Sequence, residues 1–228
     1  MKRIFYSDEL TDVFEIEGDY FHYLKNVIRA KSGDVIGILT DSEFAECTIT
    51  ELNKRSAVLS VNERRPAKKH NYKLKVYQCL LKREYMDFAV EKYSELGATE
   101  IVPVISERSL NDLKDKTMQR YKDIAMKAVL QSENEQLPVI HDAVKIEDVL
   151  PDMDSNIIFY ERCEDSGSLT ASKDMSIIIG PEGGFTDEEY QILIDKGFTP
   201  VKPISQILKA ETASVVFTGY VRILQESL

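Results

Sequence analysis

The sequence predicts an α/β protein in which a small β-barrel precedes a layered α/β domain. Short apolar runs separated by turn signals fill roughly the first 65 residues, the rhythm of a small barrel. After them, strand-like runs alternate with helical stripes, which implies helices layered on a sheet. Asn156 to Tyr160 and Met175 to Ile179 read as apolar runs of the kind buried on both faces of a parallel sheet. With 228 residues, 43% hydrophobic and 30% charged, the chain suits one large domain or two small ones and is too apolar for disorder.

In the first part, Val35-Ile36-Gly37-Ile38-Leu39 follows the turn Ser32-Gly33-Asp34; Ala45 to Ile49 alternates, and Ala57 to Val61 makes a third run. His22 to Ile28 sets Tyr23 with Val27, and Leu24 with Ile28, four residues apart, so one short helix closes the barrel. Pro66, Lys68, Lys69 and His70 read as a linker, dividing the chain into domains over 1–68 and 72–228. Leu74 to Leu81 is then a strand, and Glu84 to Leu96 is a helix with Tyr85, Phe88, Ala89, Tyr93 and Leu96 on its apolar stripe and Gly97 at its end. Ile101 to Ile105 is the next strand and Met118 to Leu130 the next helix.

Composition narrows function. Lys and Arg number 29 against 39 Asp and Glu, a net charge of −10, which opposes phosphate binding, yet the imbalance is local. Residues 1–75 hold 13 basic against 12 acidic side chains, leaving 16 against 27 in the remainder. Lys54, Arg55, Arg64, Arg65, Lys68, Lys69, Lys73 and Lys75 form a basic stripe opposed only by Glu63. It is either a solvated strand-and-linker face or a phosphate-binding one. Cys47, Cys79 and Cys163 are odd in number and widely spaced, so they read as buried free thiols; His22, His70 and His141 are scattered, and no metal is expected. No apolar stretch nears the roughly 20 residues of a membrane helix and the first eight residues hold no signal core, so the expectation is a cytoplasmic protein with no membrane partner.

Two segments carry chemistry. Ile177-Ile178-Ile179-Gly180-Pro181-Glu182-Gly183-Gly184-Phe185 runs a buried strand into a glycine-rich turn, and Thr186 with Glu189 has the spacing of a capping box. The turn is either a plain tight turn or a place where backbone approaches a ligand at a strand's carboxyl end. It lacks the dinucleotide and Walker patterns, and Asp187, Glu188 and Glu189 would repel a pyrophosphate, so a neutral or cationic ligand suits it better. The second segment, Ile207-Leu208-Lys209-Ala210-Glu211-Thr212-Ala213, opens a terminal helix whose apolar face packs within the chain or on a second subunit. Glu211 and Thr212 fall in its first turn, where capping is the ordinary role.

Together these two segments resemble the signature of the RsmE family, bacterial 16S ribosomal RNA (uracil-N3)-methyltransferases of the SPOUT superfamily. His22 to Arg29 with Gly33-Asp34 is similar to the family's barrel motif. Lys82, Lys92-Tyr93-Ser94-Glu95-Leu96-Gly97, Glu107-Arg108-Ser109 and Gln131-Ser132 are similar to its central ones. The resemblance implies a PUA-like β-barrel that binds RNA and a SPOUT α/β domain with a deep trefoil knot that binds S-adenosyl-L-methionine and forms a homodimer. It also implies 16S rRNA, within the small ribosomal subunit, as partner. The implied cofactor-binding residues are Phe159, Tyr160, Glu161, Gly180, Pro181, Glu182, Gly183, Gly184, Ile204, Ile207, Leu208 and Thr212. Arg108 and Lys209 are candidates for stabilising the uracil anion and Glu211 for accepting the proton, against surface and capping roles for the same residues. Arg29, Arg64, Arg65, Lys68, Lys69, Lys82 and Arg83 are the candidates for RNA. Ile204 and Gln206 stand where the family usually has Gly and Arg, and Glu133 and Asn134 where it usually has Gly and Arg, so two expected arginines are absent. A catalytically impaired RNA-binding or ribosome-assembly protein of the same fold is the alternative; an enzyme holding another nucleotide in the turn is a further one, opposed by the missing fingerprint.

Overall fold

A computed structural model describes residues 1–109, 115–163, 167 and 169–228. The chain divides into two compact units, residues 1–69 with 129–136, and residues 70–128 with 137–228.

The first unit is a curled five-stranded sheet made of β1 (Arg3–Phe5), β2 (Val13–Glu17), β3 (Val35–Leu39), β4 (Glu43–Leu52) and β5 (Ser56–Pro66). The strands pair in the order β1-β3-β4-β5-β2, β1 parallel to β3 and the others antiparallel. Register shifts at Glu46/Cys47 and Ile49/Glu51 mark bulges, which bend a sheet around its core. That core gathers Ile4, Ile16, Ile36, Ile38, Ile49 and Leu59 under Phe21 and Leu24. The predicted short helix begins earlier, as α1 (Gly18–His22), and widens into a π-type turn over Tyr23–Ile28 that ends at Arg29 with φ of 55°. Leu24 and Ile28 are buried, whereas Val27, on the other predicted stripe, faces solvent.

The second unit holds β6 (Lys73–Cys79), α2 (Arg83–Glu95), β7 (Glu100–Ile105), α3 (Asp115–Gln131, its last turn in the first unit), β8 (Val139–Ile140), β9 (Val144–Lys145), β10 (Ser155–Phe159), β11 (Asp174–Ile179), α4 (Asp187–Lys196), β12 (Thr199–Val201) and α5 (Ala210–Glu226). The sheet order is β12-β10-β11-β6-β7-β8, with β9 also on β7, and every pairing is parallel. Successive residues therefore face two different cores: Leu74 and Val76 with Ile177 and Ile179 on one side, Tyr77 and Cys79 with Ile178 on the other. This double burial explains the unbroken Ile177-Ile178-Ile179 run. β11 lies between β6 and β10, and the chain then passes outward over β10 to β12, so the strand order reverses there. Such reversals leave a crevice at the carboxyl edge of a parallel sheet.

Local signals act as predicted at two helix ends. Gly97 follows α2 with φ of 81°, a left-handed position where a side chain would be strained. The Thr186 hydroxyl accepts the Glu189 N–H at 3.1 Å and the Glu189 carboxylate accepts the Thr186 N–H at 3.0 Å, a complete capping box. Cys47, Cys79 and Cys163 are buried and unpaired, and burial pushes the thiols of Cys47 and Cys79 up to about 11 and about 12. No helix among the described residues is long and apolar enough to cross a membrane.

Candidate functional site

The carboxyl ends of β10, β11 and β12, closed by the start of α5, enclose a cleft with about 650 Å³ of atom-free space, open at its mouth. Its walls are three consecutive connections: Phe159 to Glu161, Ile179 to Phe185, and Val201 to Leu208. Its floor is apolar, with Phe159 stacked on Phe217 of α5 at 4.1 Å between ring centroids and Ala210 and Ala213 beside them. Tyr160 lines one side and stacks on Tyr190; burial, then the Asp187 carboxylate, holds its phenol above the ordinary range.

Of the twelve residues predicted for the cofactor, nine line this cleft: Phe159, Tyr160, Glu161, Gly180, Pro181, Glu182, Gly184, Ile204 and Leu208. Ile207 is 79% exposed, Thr212 points to solvent, and Gly183 packs against the Arg108 side chain instead. Sequence reasoning missed Ile179, Phe185, Val201, Lys202 and Pro203, which adjoin predicted residues in the chain, and Ala210, Ala213 and Phe217, which α5 brings to the cleft. Ile204 and Gln206, the two departures in this part of the chain, both line it.

Glycine has a steric reason at the turn. A Cβ on Gly180 would sit 3.1 Å from the Phe185 ring, and one on Gly184, whose φ is 68°, would sit 3.2 Å from the Glu161 carboxylate. The turn is also stitched to the loop after β7. Arg108 Nη1 donates to the carbonyls of Gly183 at 3.1 Å and Phe185 at 3.3 Å, and the Glu107 N–H donates to the Glu189 carboxylate at 2.7 Å. The Lys82 N–H, at the start of α2, donates to Glu182 at 3.1 Å. Arg108 is thus placed as a clamp on the turn, with its side chain otherwise exposed. Because the guanidinium is solvated, losing it costs about 1 kcal/mol. Arg108→Ala is therefore expected to speed amide exchange at Gly184, whose N–H bonds Pro181 O, about fivefold without moving the global melting temperature. Unchanged exchange at Gly184 would remove the clamp.

Lys209 and Glu211, the other catalytic candidates, do not line the cleft; they flank Ala210, which does. Lys209 is the residue before the first turn of α5 and makes no side-chain cap.

The basic stripe is not one free surface. Lys75 is buried and pairs with Asp152 and with Glu100 at 3.5 Å, and Lys73 lies 3.7 Å from Asp174. Arg64 bonds Asp12 at 2.6 Å. Arg65 gives both Nη atoms to the two oxygens of Glu135, each at 2.6 Å, and stands over the Phe44 ring at 4.7 Å. The Lys68 N–H joins the same carboxylate at 2.8 Å, and Lys69 Nζ reaches Asp41 O. The sequence hid this because the acidic partners lie far off in the chain. Arg29, Lys68, Lys69, Lys82 and Arg83 have exposed side chains. Among the described residues, no group of His, Cys, Asp or Glu is arranged to hold a metal ion.

Residues 68–222 match a family model described as an RNA methyltransferase domain, and residues 16–62 match an RNA methyltransferase PUA domain. The chain is 31% identical to the ribosomal RNA small subunit methyltransferase E of Aquifex aeolicus over 93% of its own length and 96% of the relative's. It is 31% identical to that of Rickettsia conorii, with 97% and 95% covered. Among solved structures, a ribosomal RNA small subunit methyltransferase E from Neisseria gonorrhoeae bound to S-adenosyl methionine superposes with a TM-score of 0.88 at 25% identity, covering 98% of each chain.

Proposed function

The chain belongs to the RNA methyltransferase family, and from that premise we propose that it transfers a methyl group from S-adenosylmethionine to N3 of a uridine in 16S rRNA of the small ribosomal subunit. The observation that carries this reading is the meeting of the glycine turn and the start of α5 in one cleft. The residues present fit the cofactor: the glycine turn packs tightly on Phe185 and Glu161 and so holds the wall, the floor is apolar, and Glu161 and Glu182 supply negative charge at the walls. Phe159, Phe217, Ala210 and Ala213 would hold its apolar part and the two carboxylates would favour its positive charge.

When bound, the cofactor supplies an electrophilic methyl on a sulfonium. This chain's residues then have to orient the base, exclude water and take the N3 proton. Arg108 keeps the glycine turn in place; Lys209 is the proposed cation that favours the uracil anion, and Glu211 the proposed proton acceptor. Proposed RNA contacts are Arg29, Lys68 and Lys69 in the first unit and Lys82 and Arg83 in the second. Arg64 and Arg65 are already committed to carboxylates. A homodimer, a trefoil knot and a cytoplasmic location belong to the same reading.

The test is transfer of labelled methyl to small ribosomal subunits that lack the modification. The product is mapped by reverse transcription, which an N3 methyl stops. A new stop at one uridine is the expected result. Label elsewhere would refute the uracil-N3 assignment. Cofactor binding with no label transferred would favour an RNA-binding protein that has lost catalysis, as the missing arginines at Asn134 and Gln206 permit.

A further inference from the structure

We propose that Gln78 is a positioning residue that sets the shape of the cleft from behind, by tying the glycine turn to α2 and α5 through one buried amide. The inference rests on the reading of the cleft as the cofactor site.

Gln78 is the penultimate residue of β6 and is fully buried. Alternation along the strand puts it on the same face as Leu74 and Val76, in an otherwise apolar core. A primary amide placed there is costly unless its hydrogen bonds are made. They are made. Gln78 Nε2 lies 2.8 Å from Cys79 O and 3.4 Å from the carbonyls of both Ile179 and Gly180. Gln78 Oε1 accepts from the Tyr93 hydroxyl of α2 and lies 3.0 Å from the Ser214 hydroxyl of α5. Carbonyl oxygens only accept, so the nitrogen must face the strand ends and the oxygen must face the two hydroxyls; the orientation follows from the partners. Burial holds the Tyr93 phenol far above its ordinary value, so it remains a donor at any physiological pH.

The partners matter because of where they lie. Ile179 and Gly180 line the cleft, and Ser214 lies between Ala213 and Phe217, which line it from α5. In a planar trans peptide the C=O and N–H point in opposite directions, so turning Ile179 O toward Gln78 turns the Gly180 N–H away from it. The same side chain therefore fixes the peptide at the head of the turn and the helix that forms the floor. Neither Leu nor Met at position 78 can do both.

The experiment compares Gln78→Met, which keeps length and volume but loses every bond, with Gln78→Leu, which loses every bond on a branched side chain. Ser214→Ala removes the α5 hydroxyl that faces Gln78 Oε1 and that also lies 2.8 Å from Ala210 O. S-adenosylmethionine affinity is measured by calorimetry, and affinity for small-subunit RNA on the same preparations. Both Gln78 variants are expected to bind the cofactor about tenfold more weakly with RNA affinity unchanged, and Ser214→Ala about threefold more weakly. A folded Gln78→Met protein with wild-type cofactor affinity would overturn the proposal, as would equal losses for cofactor and RNA, the mark of a general structural defect. If neither Gln78 variant folds, the result for Ser214→Ala decides: a threefold loss supports the proposal and no loss overturns it. Wild-type protein that takes up no cofactor would overturn the cofactor reading and this one with it; a wild-type protein that binds normally confines any failure to Gln78.

Discussion

Gly180→Val is expected to weaken S-adenosylmethionine binding about a hundredfold while the protein still folds. Even the first added carbon meets the Phe185 ring at 3.1 to 3.4 Å. Phe185 is 2% exposed and packed in the core that includes Cys79, Ile178 and Leu193, so it has nowhere to retreat. The strain of overfilling such a site is about 1–3 kcal/mol, and the turn, which carries no regular secondary structure, is the part able to yield. Its displacement moves the cleft wall formed by Gly180 to Gly184. A hundredfold loss corresponds to about 2.7 kcal/mol, inside that range. Gly219→Ala is the control: nothing lies within 4 Å of a Cβ there, and in the middle of α5 alanine is worth up to about 1 kcal/mol of added stability. Calorimetric titration of both variants checks the prediction. Affinity within threefold of wild type for Gly180→Val would show that the turn does not shape the binding site.

Glu135→Ala is expected to destabilise the first unit by about 2 kcal/mol. The Glu135 side chain is 3% exposed, and it satisfies both Nη atoms of Arg65 and the Lys68 N–H. Losing one partner of a fully buried pair costs about 3–5 kcal/mol, but Arg65 keeps 36% exposure and regains water, which lowers the figure. The effect has a pH signature. Hydrogen bonding from Arg65 first, with the Lys68 N–H and the nearby charges of Arg65 and Arg3, holds the carboxyl below its ordinary value against the opposing effect of burial. A carboxyl depressed on folding adds stability that is present in full above the unfolded value of about 4.3 and is lost as pH falls through the lower folded value. Wild type and variant should therefore differ most at neutral pH and converge in acid. A gap in melting temperature that persists at pH 2 would mean that the loss is one of packing and not of charge pairing.

What the sequence conveys about this molecule is mostly local. Ile177-Ile178-Ile179 announces a strand covered on both faces, Thr186 and Glu189 announce a helix start, and Gly97 announces a helix end, because each signal acts within a few residues. Most of the cleft was legible too, since its walls are short contiguous loops. The remainder depends on partners remote in the chain. Nothing near Gln78 marks it as more than a polar residue in a strand, and its role appears only when Tyr93, Ile179 and Ser214 are brought to it. Lys75 reads as part of a basic stripe until Asp152 and Glu100 bury it. β8, β9 and β12 have two or three residues each, too few for any period to show.

Residues 129–136 belong to the first unit although some sixty residues separate them from the rest of it. On the ribosome, the amino-terminal sheet is therefore made before the last segment of its own unit. Until residue 136 has left the exit tunnel, Arg65 lacks its carboxylate, and β6, α2 and β7 have been made in the interval. A fragment cut at residue 68 would emerge with the Glu135 seat empty, while the complementary fragment would carry an acidic segment with no basic seat to receive it. Completion of the first unit thereby follows synthesis of β6, α2 and β7.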